Sequence, residues 1–148
     1  MLTKIGIHWN GFLEIARKEY PKEACAFLFS KQPYSLEEEW FVFPVKNISD
    51  RPEKSWIPER RDMIKAKNKA IKLGLTHIGN IHTHPYNNKG DIDYQFLPSG
   101  LDLKFARRFN NIIRGILVVD KTVIYGIKFH DKFGENIHIT VEEVTDDK

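Results

Sequence analysis

The chain has a single cysteine, Cys25, in 148 residues. One thiol cannot close an internal disulfide, so the fold is not held by bridges. A cysteine-rich zinc finger is excluded as well, and any transition metal must be held by histidine and carboxylate. Long apolar runs are missing too. Nothing approaches the roughly 20 residues that span a bilayer, so no membrane association is expected. The opening MLTKIGIHWNGF lacks the apolar segment and small-residue cleavage site of a signal peptide, which makes the cytoplasm the expected location. Repeats, low-complexity tracts and linkers are also absent.

An excess of one sign of charge is missing as well, the net charge being only +3. The local excess lies in 58–75, PERRDMIKAKNKAIKLGL, where six basic residues face two acidic ones. No aromatic residues interleave with these lysines as a stacking platform for bases would require. A solvated helix face is therefore expected there, and nucleic acid is not an expected partner. What is present is a globular balance of 41% hydrophobic and 29% charged residues, in a length that suits one domain.

Residues 11–20 carry Phe12, Ala16 and Tyr20 at helical spacing, with Asn10 as the N-cap and Pro21 as the stop. ACAFLFS (24–30) reads as a buried strand and KQPY as a turn. EEWFVFPVKNI (38–48) reads as a second strand, with Pro44 marking an edge or a bulge. Pro58 opens a helix to about Leu73, with Met63, Ala66, Ala70 and Leu73 on one face and Gly74 as its stop. THIGNIHTH (76–84) is a third strand. A helix runs from about Gly100 to Phe109, and IIRGILVVD, KTVIYGIKF and NIHITVEEV supply three more strands. Early alternation of strands and helices, then consecutive strands, predicts an α/β chain: one domain with a mixed sheet flanked by helices.

Side chains at i and i+2 of a strand share a face. His82 and His84 in GNIHTHP therefore project together, as two ligands of one ion must. An HxH pair is a weak signal by itself, because such pairs also arise by chance. Ser99 and Asp102 in PSGLD read either as a helix capping box or as the turn that aims Asp102 at the histidines as a third ligand. Glu23 stands just before the first apolar strand. It reads either as an exposed acid in a turn or as a general base near a metal-activated water. Three protein ligands leave a tetrahedral ion one open position, which is the mark of a catalytic site.

Taken together, Glu23, His82-Thr83-His84-Pro85 and Ser99-x-x-Asp102 resemble the JAMM motif of the JAB/MPN-domain metalloproteases. The stretch P-x-E-A-C-A-F-L, residues 21–28, is similar to the opening signature of prokaryotic members. The W-x-P of Trp56 and Pro58 leads into a helix as in that family, and the order of elements follows it from about Gly11 to Val144. The resemblance implies a cytidine-deaminase-like α/β/α core and one Zn²⁺ held by His82, His84 and Asp102. It implies Glu23 as general acid/base and Ser99 as a hydrogen-bonding partner of the water or the intermediate. The implied reaction is hydrolysis of the bond after the C-terminal glycine of a ubiquitin-like protein. Release of a small product from a sulfur-carrier protein would use the same chemistry.

Two departures from the family pattern stand out. Fourteen residues, Pro85 to Pro98, separate His84 from Ser99, more than is usual. The extra length is expected to form a surface loop shaping the substrate groove, and it brings in Asp91 and Asp93 as alternatives to Asp102. Ala26 stands where glycine is common. Cys25 is expected in the core. His8, His77, His130 and His138 are expected to be ordinary strand or surface histidines, and Trp56 is expected near the site. Two other functions fit the sequence: a non-catalytic MPN-type scaffold, whose members generally lose the ligands kept here, and a metal-dependent phosphoesterase built around HxH.

Overall fold

The computed structural model describes residues 3–31, 39–86, 91–106 and 113–144. Within them run β1 (Thr3–His8), α1 (Asn10–Glu19), β2 (Cys25–Ser30), β3 (Trp40–Val45), α2 (Arg60–Lys72) and β4 (Thr76–Pro85). Then follow α3 (Ile92–Gln95), α4 (Gly100–Ala106), β5 (Ile113–Val119), β6 (Ile124–His130), β7 (Asn136–Ile137) and β8 (Ile139–Glu143). The strands form one eight-stranded mixed sheet in the order β7-β6-β5-β4-β2-β3-β1-β8. No described helix is long and apolar enough to cross a membrane.

The first and last strands of that order are joined by His138 alone. Two peptide steps span about 7 Å at most, so the sheet must roll until its ends meet. Side chains show the same curl. Trp40 of β3 meets Phe129 of β6 edge to face, with centroids 5.3 Å apart and planes at 82°, although β2, β4 and β5 stand between the two strands.

Period-two alternation divides the apolar residues between the faces. Ala26 and Leu28 of β2 join Phe12 and Ala16 of α1, Trp40, Ile81 and Phe129 in one core. Cys25, Phe27 and Phe29 of the same strand pack on Ala66 and Ala70 of α2 with Trp56 and Leu75 in another. The predicted mixed sheet flanked by helices is present, but several elements differ from their sequence reading. The sequence pattern predicts no strand at residues 3–8, yet β1 lies inside the sheet, parallel to both β3 and β8. The expected last strand divides into β7 beside β6 and β8 beside β1. α1 starts on the Trp9 carbonyl, which accepts from Leu13 N–H, without the expected side-chain cap from Asn10.

Pro44 lies in an interior strand. The β1–β3 register covers only Trp40 and Phe41, so at Pro44 the pairing is with β2 alone. Pro58 bridges Asn47 just before α2 rather than opening its first turn. Gly74 ends α2 as predicted, at φ +70°, and the turn brings Leu75 into the core where Leu73 was expected. The turn at 32–34 and the helix end at 107–109 fall outside the described residues.

Candidate metal centre

β4 is the central element of the site. Its register pairs Ile81 with Ala26 and His82 with Cys25, so Ile81 enters the α1-side core and His82 faces the α2 side. His84 follows on the same face at the strand end, opposite Val118 of β5. The two Nε2 atoms are 3.1 Å apart. His84 Nδ1 lies 2.7 Å from the Gln95 carbonyl at the end of α3. A carbonyl only accepts, so Nδ1 carries a hydrogen, and Nε2 is the nitrogen whose lone pair the neutral ring can offer an ion. The segment after His84 therefore contains a short helix whose last carbonyl orients His84.

Asp102 enters from the first turn of α4. Its Oδ1 is 3.3 Å from His82 Nε2 and its Oδ2 is 3.1 Å from His84 Nε2. The capping box is also formed. Asp102 N–H donates to Ser99 Oγ at 3.0 Å, and Ser99 N–H donates to Asp102 Oδ2 at 2.8 Å. The capping-box reading of this segment holds, and the cap aims the Asp102 carboxylate at the two histidines. Burial would raise the Asp102 pKa, but the charges and hydrogen bonds of His82 and His84 outweigh it and hold the carboxyl well below the usual range. Burial likewise opposes a charge on His84, yet the hydrogen bond and charge of Asp102 win and raise its pKa.

Glu23 is pinned by its backbone. Its N–H donates to the Pro52 carbonyl, and its own carbonyl accepts from Asn47 Nδ2 at 2.8 Å. The next residue is fastened to β4 twice, by Ala24 N–H to Thr83 Oγ1 at 2.8 Å and Thr83 N–H to the Ala24 carbonyl at 2.9 Å. The exposed-acid reading fails, since Glu23 is 5% exposed. Its Oε1 is buried with no hydrogen-bond partner, and burial raises its pKa against the pull of both histidines.

One ligand atom from each of Glu23, His82, His84 and Asp102 lies within 4.8 Å of the others. Nitrogen lone pairs and carboxylate oxygens this close repel unless a proton or a cation stands among them. Two imidazoles with carboxylates form the donor set of a borderline divalent transition ion. The orphaned oxygen of Glu23 beside them fits the same demand, so the residues present suit such an ion.

The other sequence candidates fall around this centre. Trp56 stacks on His82, centroids 5.6 Å apart. Asp91 caps α3 by accepting from Asp93 N–H at 3.0 Å; both acids are exposed and neither joins the cluster. Cys25 is a core residue, its Sγ donating to the Val45 carbonyl, and burial pushes its pKa up, away from the reactive thiolate. His8 pairs with Glu39, His77 bonds the Gly79 carbonyl, and His138 is exposed. His130 is a strand residue as expected, at the end of β6; it is buried and, with Asn80 and Arg114, lines a cavity shared with His82 and Asp102. No local pattern marked these three, because sheet register alone brings them beside the site.

Residues 7–125 match the family described as prokaryotic homologs of the JAB domain. A protein of Desulfitobacterium hafniense, known from its solution structure, is similar at a TM-score of 0.60 and 22% identity, over 95% of this chain and 94% of that one. The crystal structure of a JAB1/MPN domain protein from Archaeoglobus fulgidus is similar at a TM-score of 0.57 and 20% identity, over 93% of this chain and 97% of that one. At these identities the likeness is one of fold. No curated protein matches the chain.

Proposed function

Because the chain belongs to the family of prokaryotic JAB-domain homologs, we propose that it is a zinc-dependent JAMM-type peptidase or isopeptidase. Its bond of choice is the one after the C-terminal glycine of a ubiquitin-like or sulfur-carrier protein. His82, His84 and Asp102 would hold the ion. The chemistry such an ion supplies is acidification of a water molecule to a pKa of about 7 and polarisation of a carbonyl.

The remaining work falls to the chain's own groups. Glu23, held at the cluster by its pinned backbone, takes the proton of the attacking water and returns it to the leaving amine. Burial favours its protonated form, which suits a group that must give the proton back. The Ser99 hydroxyl accepts from Asp102 N–H, so its own hydrogen is available to the developing oxyanion. Trp56 covers one face of the His82 ring and fixes its plane. An extended glycine-ended tail can pair with a strand edge through its backbone.

The observation that carries this reading is the meeting of the four donor atoms within 4.8 Å, with the buried Glu23 oxygen left without a protein partner. The test is purified protein with zinc restored, offered ubiquitin-like conjugates and precursors. Cleavage after the terminal glycine is expected, with Glu23→Gln slowing it by about 10²–10⁴-fold while zinc content is kept. Absence of cleavage with every such substrate, together with an unchanged Glu23→Gln protein, overturns the enzymatic reading. A protein isolated without metal would favour a scaffold.

A further inference from the structure

Beside the four-donor cluster lies a cavity of about 10 Å³ lined by Trp56, Asn80, His82, Asp102, Arg114 and His130. Register builds it. Asn80 of β4 pairs with Arg114 of β5, and Arg114 pairs with His130 of β6. Three polar side chains thus stand in a row across adjacent strands, on the face that carries His82. The volume is roughly what one water molecule needs, and a water is stable in such a space only with two to four polar partners.

Two of the residues lining this cavity, His82 and His130, are histidines. His130 is 4% exposed, and its Nε2 is buried with no hydrogen-bond partner among protein groups. Its Nδ1 lies 2.7 Å from the Asp131 carbonyl, so Nδ1 carries the hydrogen and Nε2 is an acceptor. The proposed metal role of His82 gives it the opposite polarity. Its Nε2 faces His84 and Asp102, and offering a lone pair there to an ion puts the hydrogen on Nδ1. That Nδ1 has no partner among the described residues.

We infer that a single buried water bridges His82 Nδ1–H to His130 Nε2, and that His130 is thereby a positioning residue for His82. The water accepts from His82 and donates to His130, which is anchored in turn on the Asp131 carbonyl. His84 is oriented directly by the Gln95 carbonyl; His82 reaches its carbonyl through one water and one imidazole. Ligating histidines characteristically donate their second nitrogen in this way, and a bridging water is nearly as good a partner as a direct group. The water itself rests on the cavity and the unpartnered His130 nitrogen, while the direction of its bond to His82 and its consequence for an ion rest on the proposed role of His82.

A crystal structure of the metal-free protein at a resolution that shows ordered water tests the bridge itself. A water within hydrogen-bond distance of both His82 Nδ1 and His130 Nε2 is expected. A dry cavity, or His130 Nε2 bonded directly to a protein group, overturns the inference. Cobalt(II) titration of wild type, His130→Phe and His130→Gln tests the positioning role by affinity and visible spectrum. Phenylalanine has nearly the same shape but offers no acceptor, and about 10–100-fold weaker cobalt binding with a changed spectrum is expected, at an unchanged melting temperature. Glutamine keeps an acceptor, and recovery of most of the affinity is expected. Wild-type affinity and spectrum in His130→Phe overturn the positioning role. Should wild type itself take up no cobalt, the proposed metal site fails, and the crystallographic water alone decides for or against the bridge.

Discussion

Ser99 and Asp102 hold each other by two hydrogen bonds, of 2.8 and 3.0 Å, and the carboxylate oxygen that takes part, Oδ2, also lies 3.1 Å from His84 Nε2. A helix cap and a corner of the candidate metal site thus share one atom. Whatever loosens the first turn of α4 also loosens the aim of Asp102.

Ser99→Ala removes the hydroxyl acceptor but leaves the backbone donor. The expected loss is about 1 kcal/mol of stability, the ordinary value of a cap, read from urea unfolding. Divalent-ion affinity should fall with it by roughly tenfold, as for other residues that orient ligands. A stability loss with affinity untouched would separate the cap from the site.

Glu23 makes the stability of the metal-free protein depend on pH. Burial raises its pKa in the folded state, so the fold binds this proton more tightly than the unfolded chain does. The contribution is complete at pH below the ordinary glutamate value and is lost as pH rises through the higher folded one. Glu23→Gln, uncharged throughout, escapes that loss. Metal-free Glu23→Gln should therefore melt above wild type at pH 7, with the gap closing below about pH 4. A wild type that melts at or above the variant at pH 7 would contradict this.

Proton competition should govern metal uptake. Asp102 raises the pKa of His84 despite burial, and an ion must displace that proton to use Nε2. Affinity for a divalent cation is expected to fall as pH is lowered through the raised value, and binding should release protons. Calorimetry in buffers of different ionisation enthalpy measures both. Affinity independent of pH would place the ion elsewhere.

Gly79 keeps the histidine strand against its neighbour. A Cβ there would stand 2.0 Å from the Ile113 carbonyl oxygen and 2.9 Å from its carbon. These are backbone atoms of β5, which cannot yield without breaking the β4–β5 ladder. Gly79→Ala should cost about 3 kcal/mol, the upper part of the range for overpacking, by urea unfolding.

The candidate site was legible where chemistry repeats at short range. The i, i+2 spacing of His82 and His84 and the i, i+3 spacing of Ser99 and Asp102 are local and carry their geometry with them. Glu23 was legible through family resemblance; its burial was not, since Pro52 and Asn47 pin it from a loop distant in sequence. His130 gave no signal because Arg114 and His82 become its neighbours only when β4, β5 and β6 pair. For the fold, long periodic segments such as α2 were readable, whereas β1 was not. Its six residues alternate weakly, and its partners are β3 and β8, the latter more than a hundred residues away. The Asp91-x-Asp93 turn signal would have located α3, whose cap is that aspartate.

The parallel pairing of β1 with β8 sets the order of events during synthesis. Thr3 to Ile7 leave the ribosome more than a hundred residues ahead of their partners Ile139 to Glu143. Pairings that distant form slowly and leave strand edges open in the meantime. The nascent chain must shelter one bare β1 edge while the intervening residues are made, and only the arrival of β8 closes it.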